Sequence, residues 1–174
     1  TAYEIRPRDW SSDVCSSDLR MYRYSSKDQG INYAPETVLA ARLSIPFCLS
    51  LAAHQRRITL DEFTPGALRD RSIDALMHKV EIEMDEELNR RYPGGTAAMI
   101  LRVTVKGGTT LEQFVRYPKG NPNNPMSPAD VEGKFRSLAA RTLDATRIDA
   151  LLQKLMTLEK LADIGELVET VRIS

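Results

Sequence analysis

The distribution of apolar residues predicts three β-strands in the middle of the chain. Apolar and acidic residues alternate through residues 80–85, and apolar residues recur at every second position in 99–105 and again in parts of 111–117. A period of two places one side of a strand against a core and the other side in solvent. The acidic residues of the first strand are therefore predicted to form a solvated face rather than a metal site.

The glycine pair Gly107-Gly108 predicts a hairpin between the second and third strands. A two-residue turn would place Val103 opposite Glu112, whereas a three-residue loop over 107–109 groups the apolar residues of both strands. A shift of one residue moves every side chain to the other face of a sheet. We therefore predict the three-residue loop, with these pairs: Val105 with Leu111, Leu101 with Val115, and Met99 with Tyr117.

Apolar residues at helical spacing predict helices before the strands. The first spans residues 35–52 and is apolar on most sides, which indicates a buried helix. Pro46 lacks a backbone donor and its ring clashes with the preceding turn, so we predict a kink or break between residues 43 and 46. A turn capped by Thr59 and Glu62 and a short helix over 68–77 follow.

A loop rich in proline, asparagine and glycine, residues 117–126, separates this region from one of helices only. Ser127 is a predicted N-cap, with Pro128 in the first helical position and Asp130 in the first turn. Three amphipathic helices are predicted, the last broken near Gly165, with these apolar stripes: Val131, Phe135, Leu138 and Thr142; Ile148, Leu151, Leu152 and Leu155; Leu161, Ile164, Val168 and Val171.

These elements predict the α+β fold class. Residues 34–125 form a small domain of a few antiparallel strands with packed helices, and residues 126–174 form the C-terminal helices. The apolar stripes of those helices could pack on one another or on a larger helical body outside this chain. Leaving a few hundred Å² of apolar area uncovered forgoes roughly several kcal/mol of stabilisation. We therefore expect the isolated chain to be marginally stable or prone to associate.

Composition narrows the functional classes. The 174 residues carry 24 basic and 24 acidic side chains, so no basic footprint indicates nucleic-acid binding. No apolar run reaches the roughly 20 residues that span a bilayer, and no signal-peptide pattern is present. Cys15 and Cys48 lack metal-ligand spacing. A disulfide between them stays open, but we expect a reduced, cytoplasmic chain.

Residues 1–33 are treated as an unreliable N-terminal segment. Residues 9–19 read DWSSDVCSSDL and match, codon by codon, the translation of a common sequencing-library adapter. We interpret this run as an assembly artefact and give Trp10 and Cys15 no functional role. On this hypothesis residues 1–8 do not belong beside Arg20, and the natural upstream half of the protein is missing. The alternative is an ordinary Ser/Asp-rich loop.

No catalytic or metal-binding constellation is evident in the sequence. His54 and His78 have no carboxylate or second histidine at ligand spacing, so we predict surface or packing roles for both. The Gly-Gly-Thr run at 107–109 lacks the lysine and the following helix of a phosphate-binding loop. Residue chemistry alone therefore predicts no function.

Several segments, in order, resemble the C-terminal part of the MmgE/PrpD family. They read PETVLAARLSIPFCLSLA at 35–52, RITLDEF at 57–63, and GNPNNPMS at 120–127 followed by a helix containing KFR. The resemblance covers residues 35–171. The family includes 2-methylcitrate dehydratases of propionate metabolism, cis-aconitate decarboxylase and an iminodisuccinate epimerase, which the residues present do not distinguish.

The resemblance implies a hydro-lyase that abstracts a proton beside a carboxylate and releases water, with no metal and no organic cofactor. It places most acid/base residues in a large helical domain upstream, so the catalytic residues are unknown and this fragment alone is expected to be inactive. The substrate-binding candidates are Ser44, Phe47, Lys119 and Asn121. Family members often carry a tyrosine at the position of Phe47, so a substrate-contacting hydroxyl is absent here, and packing of Ser44 and Phe47 in the core is the alternative.

The implied partners are a small carboxylic-acid substrate, the missing N-terminal helical domain, to which residues 126–174 return, and a second copy in a homodimer. No nucleic acid and no membrane are expected. The alternative, from another class, is a free-standing α+β interaction module without catalysis.

Overall fold

The computed structural model describes residues 10–17, 33–92 and 98–172. The chain divides into two compact units, residues 1–118 and residues 119–174. The first unit combines a sheet with helices, and the described part of the second is built from helices and loops. The predicted α+β class is confirmed.

A four-stranded sheet forms the first unit's framework. Its strand order is β2-β1-β3-β4. β1 is parallel to β2 and antiparallel to β3, so the sheet is mixed, whereas the sequence analysis expected antiparallel strands. The strands are β1 Trp10–Ser17, β2 Val80–Met84, β3 Met99–Val105 and β4 Thr110–Val115.

β1 lies in the middle of this sheet, at residues for which the sequence analysis predicted no element. Its backbone pairs Cys15 with Ile82 on one side and with Leu101 on the other. The alternative of a Ser/Asp-rich loop was therefore wrong. Strand pairing uses backbone groups that every residue here has, and β-propensity is a weak guide where neighbours supply both edges. The adapter hypothesis concerns the origin of the DNA and stays a prediction.

The β3–β4 hairpin has a three-residue loop as predicted, but over residues 106–108 instead of 107–109. Val103 pairs with Leu111 and Met99 with Val115, so the predicted pairs were wrong by two positions. Because a shift of two positions keeps each side chain on its own face, Val103 and Leu111 still share the face that the pattern grouped together.

The backbone of the glycine pair explains this register. Gly107 and Gly108 have φ of 103° and 85°, in the left-handed region that favours glycine. A loop over 107–109 would have moved the requirement for a positive φ towards Thr109, a β-branched residue. Instead the Val105 N–H donates to the Thr109 carbonyl at 2.9 Å, so Thr109 lies opposite Val105 and outside the three-residue loop.

The first unit combines its sheet with helices, and helices make up most of the described part of the second unit. The predicted strands and helices are largely present, with differences at their ends. The α-helices of the described residues are α1 Val38–Leu43, α2 Ile45–Gln55, α3 Arg71–Met77, α4 Glu86–Arg91, α5 Pro128–Ala139, α6 Ala145–Met156 and α7 Gly165–Val171, with 3₁₀ turns at Ala67–Arg69 and Leu158–Lys160.

The predicted break before Pro46 separates α1 from α2. Ser44 has an extended backbone, and its hydroxyl accepts the Phe47 N–H at 3.0 Å, so it is the N-cap of α2. α1 begins later than expected, after Thr37, whose hydroxyl accepts the Ala40 N–H at 3.1 Å. A proline near the start of α2 is tolerated because its missing N–H has no intrahelical role there.

α4 was not predicted, although the sequence carries its signals. Asp85 is the N-cap and accepts the Leu88 N–H at 2.8 Å. The first turn of α4 is acidic and the last turn is basic, which matches the helix dipole at both ends. Asp85 also continues the acidic alternation of the preceding strand, and that pattern concealed its capping role.

The C-terminal helices begin largely where capping residues predict. Ser127 and Asp130 form a capping box on α5, and Asp144 caps α6 by accepting the Arg147 N–H at 2.9 Å. The break expected at Gly165 was wrong: α7 begins there. The carboxylate of Asp163 accepts the Gly165 N–H at 2.8 Å and so satisfies a donor at the start of the helix.

The first unit's core lies where α1, α2 and α3 meet, and a second cluster lies between Leu76 and Val103. In the second unit, Ile148 and Leu151 of α6 are buried. The break at Ser44 is therefore buried beside this core. The main cluster consists of Ala41, Phe47, Leu51, Ile73 and Met77, with Tyr33, Phe63, Ala67 and Leu68 against it.

Replacing Ser50 by alanine should stabilise the first unit. Ser50 is fully buried in α2, and its hydroxyl has no hydrogen-bond partner among the described residues. A buried unsatisfied hydroxyl costs about 1–3 kcal/mol, and alanine removes it with little loss of volume. We expect an unfolding free energy about 1 kcal/mol higher, measured by urea denaturation. Ser72→Ala at an exposed site is the control, and a destabilised Ser50→Ala variant would show that the hydroxyl is bonded.

Candidate functional site

Ser44 and Phe47 lie together at the start of α2, and both are buried. Their exposed fractions are 1% and 2%. The Phe47 ring lies 6.2 Å from the Phe63 ring, centroid to centroid, within the apolar cluster of the first unit. The Ser44 hydroxyl caps α2. This geometry fits the packing alternative, and a substrate contact by either residue stays a prediction.

Cys48 directly follows Phe47 in α2 and has the properties of a structural thiol. It is a free cysteine, so the disulfide left open by the sequence is not formed at this residue. Its sulfur lies 3.6 Å from the Ala41 carbonyl oxygen. Burial raises the pKa of the thiol to about 11. The thiol is therefore protonated at neutral pH and is a weak nucleophile.

Lys119 and Asn121 lie together in the second unit, on a loop that folds against the start of α5. The Lys119 ammonium lies 2.5 Å from the Asp130 carboxylate. The Asn121 side-chain oxygen accepts the Asn123 N–H at 2.9 Å, and the Gly120 N–H donates to the Asn124 carbonyl at 2.8 Å. Both candidate side chains therefore hold the loop in shape, with the ammonium charge neutralised.

Asp130 is the electrostatic centre of this loop. Hydrogen bonds from Lys119 and from Ser127 lower the pKa of its carboxyl group from 3.8 to about 2. Its position in the first turn of α5 also favours the charged form. The Asp130 carboxylate thus forms the ion pair with Lys119 and also takes part in the capping box of α5.

Asp130→Asn should therefore destabilise α5 in a pH-dependent way. Because the folded-state pKa is depressed, the charged carboxylate stabilises the fold above about pH 4, and this contribution is lost as pH falls towards 2. We expect the urea midpoints of wild type and variant to differ at pH 6 and to converge near pH 2. The matched control is Asp149→Asn, outside the capping box. A difference that persists unchanged at low pH would contradict the assignment.

Both histidines of the described chain lie beside a single aspartate. His54 Nε2 is 3.9 Å from Asp70, and His78 Nε2 is 3.5 Å from Asp74. The expectation that neither has a carboxylate at ligand spacing was wrong for His78, since Asp74 lies one helical turn before it. Both pairs are partly or largely solvent-exposed, which fits surface roles. Within the described residues no group of three His, Cys, Asp or Glu side chains could hold a metal ion.

Sequence reasoning missed a cluster of arginines and aromatic rings in the first unit. The Arg116 guanidinium lies 4.9 Å from the centroid of the Tyr92 ring and 4.8 Å from that of Tyr117. The Arg91 guanidinium lies 5.7 Å from the Tyr92 centroid, and the Tyr92 and Phe114 rings are 5.6 Å apart. The Arg91-Tyr92 and Arg116-Tyr117 dipeptides were the available signal.

An apolar groove runs along α5 and α6 in the second unit. Its volume is about 410 Å³. Val131 of the predicted α5 stripe and Met156 of α6 are 54% and 75% exposed on its walls, whereas Ile148 and Leu151 of the predicted α6 stripe are buried. The groove is lined by Met126, Pro128, Val131, Glu132, Phe135, Leu152, Leu155 and Met156.

Among the helices of the described residues, none combines the length and the apolar composition that spanning a bilayer requires.

Comparison with known proteins identifies the family of this chain. The family model described as the MmgE/PrpD C-terminal domain matches residues 7–158. The chain belongs to the MmgE/PrpD family and corresponds to its C-terminal domain.

Three curated relatives show the same similarity. A cis-aconitate decarboxylase-like protein of Aspergillus oryzae is 28% identical over 115 residues, which are 66% of this chain and 23% of the relative. An alkylcitrate dehydratase of a fungal species is 33% identical over 100 residues, 53% of this chain and 20% of the relative. The mitochondrial 2-methylcitrate dehydratase of Yarrowia lipolytica is 25% identical over 122 residues, 68% and 21% respectively. The matched part thus spans about a fifth of each relative's length.

Proposed function

We propose that this chain is the C-terminal part of a lyase that dehydrates a small polycarboxylate, with 2-methylcitrate or a related alkylcitrate as the leading substrate. The observation that carries the proposal is the family match over residues 7–158. The names of two relatives, an alkylcitrate dehydratase and a 2-methylcitrate dehydratase, support dehydration over decarboxylation.

The proposed reaction removes water across one carbon–carbon bond. A general base takes a proton from the carbon beside a carboxylate, a general acid protonates the hydroxyl on the adjacent carbon, and water leaves as the double bond forms. The histidines of the described chain are each paired with one exposed or half-exposed aspartate on the surface. We therefore assign the general acid and the general base to the large helical domain that the family resemblance implies upstream of this chain.

We further propose that the α5–α6 groove receives a helix of that large helical domain. The groove is apolar along most of its length, and its one acidic side chain, Glu132, is paired with Arg136 at 2.8 Å. A helix with an apolar stripe would cover Val131 and Met156, whose exposure costs stability. A homodimer and a cytoplasmic location are part of the proposal and rest on the family resemblance alone.

The decisive experiment is long-read resequencing of the source DNA across codons 1–33, followed by expression of the whole reading frame. We expect the adapter-like codons to vanish and the frame to continue upstream into a helical domain. The whole protein should then dehydrate 2-methylcitrate, measured by the absorbance of the conjugated double bond, and the 174-residue chain should not.

Two results would contradict the proposal. If codons 9–19 are genuine and the gene begins near codon 1, the non-catalytic α+β interaction module becomes the better interpretation. If the whole protein folds but releases no water from any of a panel of citrate homologues, the dehydratase assignment is wrong. Carbon dioxide release from the same panel would distinguish a decarboxylase from a dehydratase.

A further inference from the structure

The β4 strand forms one edge of the sheet in the first unit. It lies at the end of the strand order β2-β1-β3-β4, so β3 is its one partner among the described strands. Five of its six residues are exposed, and Leu111 is half-buried. An exposed edge carries a row of backbone donors and acceptors with which another strand can pair.

The hairpin register identifies the backbone groups on this edge. The Val105 N–H donates to the Thr109 carbonyl at 2.9 Å, and from this point hydrogen-bonded and non-hydrogen-bonded pairs alternate along the ladder. Every second residue of β4 therefore bonds to β3. The residues between direct their N–H and C=O groups away from β3, and they are Thr110, Glu112 and Phe114.

The two edges of the sheet differ in how their side chains oppose further pairing. β2, at the opposite edge, exposes Glu81 and Glu83, and charged side chains on an edge strand disfavour pairing with another strand. β4 carries one charged residue, Glu112, whose carboxylate is paired with Arg102 of β3 at 2.8 Å. Its sequence contains neither lysine nor proline. β4 is thus the edge that is suited to accept a strand.

We propose that β4 pairs in antiparallel orientation with β4 of a second copy of this chain, about a two-fold axis at Gln113. The 24 basic and 24 acidic side chains leave no net charge, so overall repulsion does not oppose the association of two copies. The inference rests on the homodimer of the proposed function and assigns the surface through which the copies pair. It needs no enzymatic activity.

The sequence of β4 is self-complementary in this register. An axis at Gln113 places Leu111 opposite Val115 of the second copy, so two apolar side chains meet on one face. An axis at Glu112 would place two carboxylates opposite each other, which is unfavourable. An axis nearer either end of β4 would keep fewer of its residues paired with strand residues. The side chains therefore select one register.

Gln113 has a particular role at the axis. Its side-chain amide donates at 3.0 Å to the Phe114 carbonyl, which is one of the outward-facing acceptors. Pairing would replace this contact by a backbone donor, the Glu112 N–H of the second copy. The two Gln113 side chains would then form a non-hydrogen-bonded pair, in which opposed side chains lie closest. A charge introduced at this position should therefore control association.

The first test is sedimentation equilibrium of the full 174-residue chain over a range of concentrations. A six-residue edge is short for a standard interface, so we expect a reversible dimer with a Kd of about 10–100 μM. Gln113→Lys and Gln113→Glu should each weaken dimerisation about tenfold or more, because like charges meet at the axis. An equimolar mixture of the two variants should dimerise at least as tightly as wild type.

The matched control makes the same two substitutions at Gln153, an exposed residue of α6. Gln153→Lys and Gln153→Glu change the net charge equally and should each dimerise like wild type. A mixture of the Gln113 variants that fails to restore the dimer would overturn the proposed register. A chain that stays monomeric at about 500 μM, well above the expected Kd, would overturn the pairing itself.

Hydrogen–deuterium exchange tests the pairing in the wild-type chain, independently of how the variants fold. Raising the protein concentration should slow exchange at the outward-facing amides of Thr110, Glu112 and Phe114. The amides of Leu111 and Gln113, which already bond to β3, should change little. Equal protection of all five amides, or of none, would contradict edge pairing.

A final arm distinguishes the other occupants and surfaces. A peptide of residues 109–117 should compete with dimerisation, and a peptide of the same composition in scrambled order should not. Equal competition by both would mean that the edge accepts any extended segment, which would overturn the assignment to a second copy. A dimer that survives Gln113→Lys but is lost in Met156→Lys would place the interface at the α5–α6 groove, which overturns β4 pairing and leaves the proposed homodimer standing.

Discussion

Replacing Phe47 by alanine should lower the unfolding free energy of the first unit by about 3–5 kcal/mol. The ring is 2% exposed, stacks near Phe63 and packs with Leu51, Ile73 and Met77, so its removal leaves a cavity in the centre of the cluster. The measurement is urea denaturation followed through the amide signals of α2 and α3. Leu39→Ala is the control, because Leu39 of α1 is 68% exposed and should change stability little.

Phe47→Tyr separates packing from a substrate role. If the ring lies in a closed core, its new hydroxyl has no partner and should cost about 1–3 kcal/mol. A tyrosine that is tolerated without loss would mean that the position opens onto a polar space, as the family resemblance implies. A Phe47→Ala variant as stable as Leu39→Ala would contradict the core assignment itself.

Leu151→Ala should have the next largest effect, about 2–5 kcal/mol on the second unit. Leu151 is 5% exposed on α6, where Ile148 is the other buried apolar side chain of the described unit. A small unit buries little of its surface, so one deletion removes a large share of its stability. We expect the amides of α6 and α7 to exchange with solvent orders of magnitude faster, as measured by hydrogen–deuterium exchange.

Leu155→Ala is the matched control on the same helix, because that side chain is 37% exposed. Polar contacts also join α6 to the C-terminal segment: the Arg147 guanidinium donates to the Thr170 carbonyl at 3.2 Å, and the Lys154 ammonium to the Glu166 carbonyl at 2.7 Å. If Leu151→Ala and Leu155→Ala exchange at the same rate, these contacts and not the buried leucine hold the second unit together.

Much of the fold was predictable because capping residues and alternation act locally. Ser127 and the break before Pro46 were found from side-chain chemistry that does not depend on distant contacts. The hairpin register was missed because it depends on which loop positions need positive φ, and both glycines take them. β1 was missed because its partners come from distant parts of the chain, which a window of neighbouring residues does not contain.

The candidate sites were less predictable. An apolar residue such as Phe47 has the same sequence pattern in a core as in a substrate cleft, and only the surrounding helices distinguish the two. Lys119 looked available for a ligand because its partner, Asp130, comes from the next helix. The Arg116 cluster needs the end of β4 and the end of α4 to meet, which no local pattern predicts.

The central position of β1 has a consequence for synthesis on the ribosome. β1 precedes both of its neighbours in the sheet, because β2 and β3 follow only after the first three helices. At about 5–20 residues per second, the nascent strand waits for seconds with both edges unpaired. Pairing over such long sequence separations is slow. A chaperone that shields β1 until β2 and β3 have been made should therefore raise the yield of folded protein.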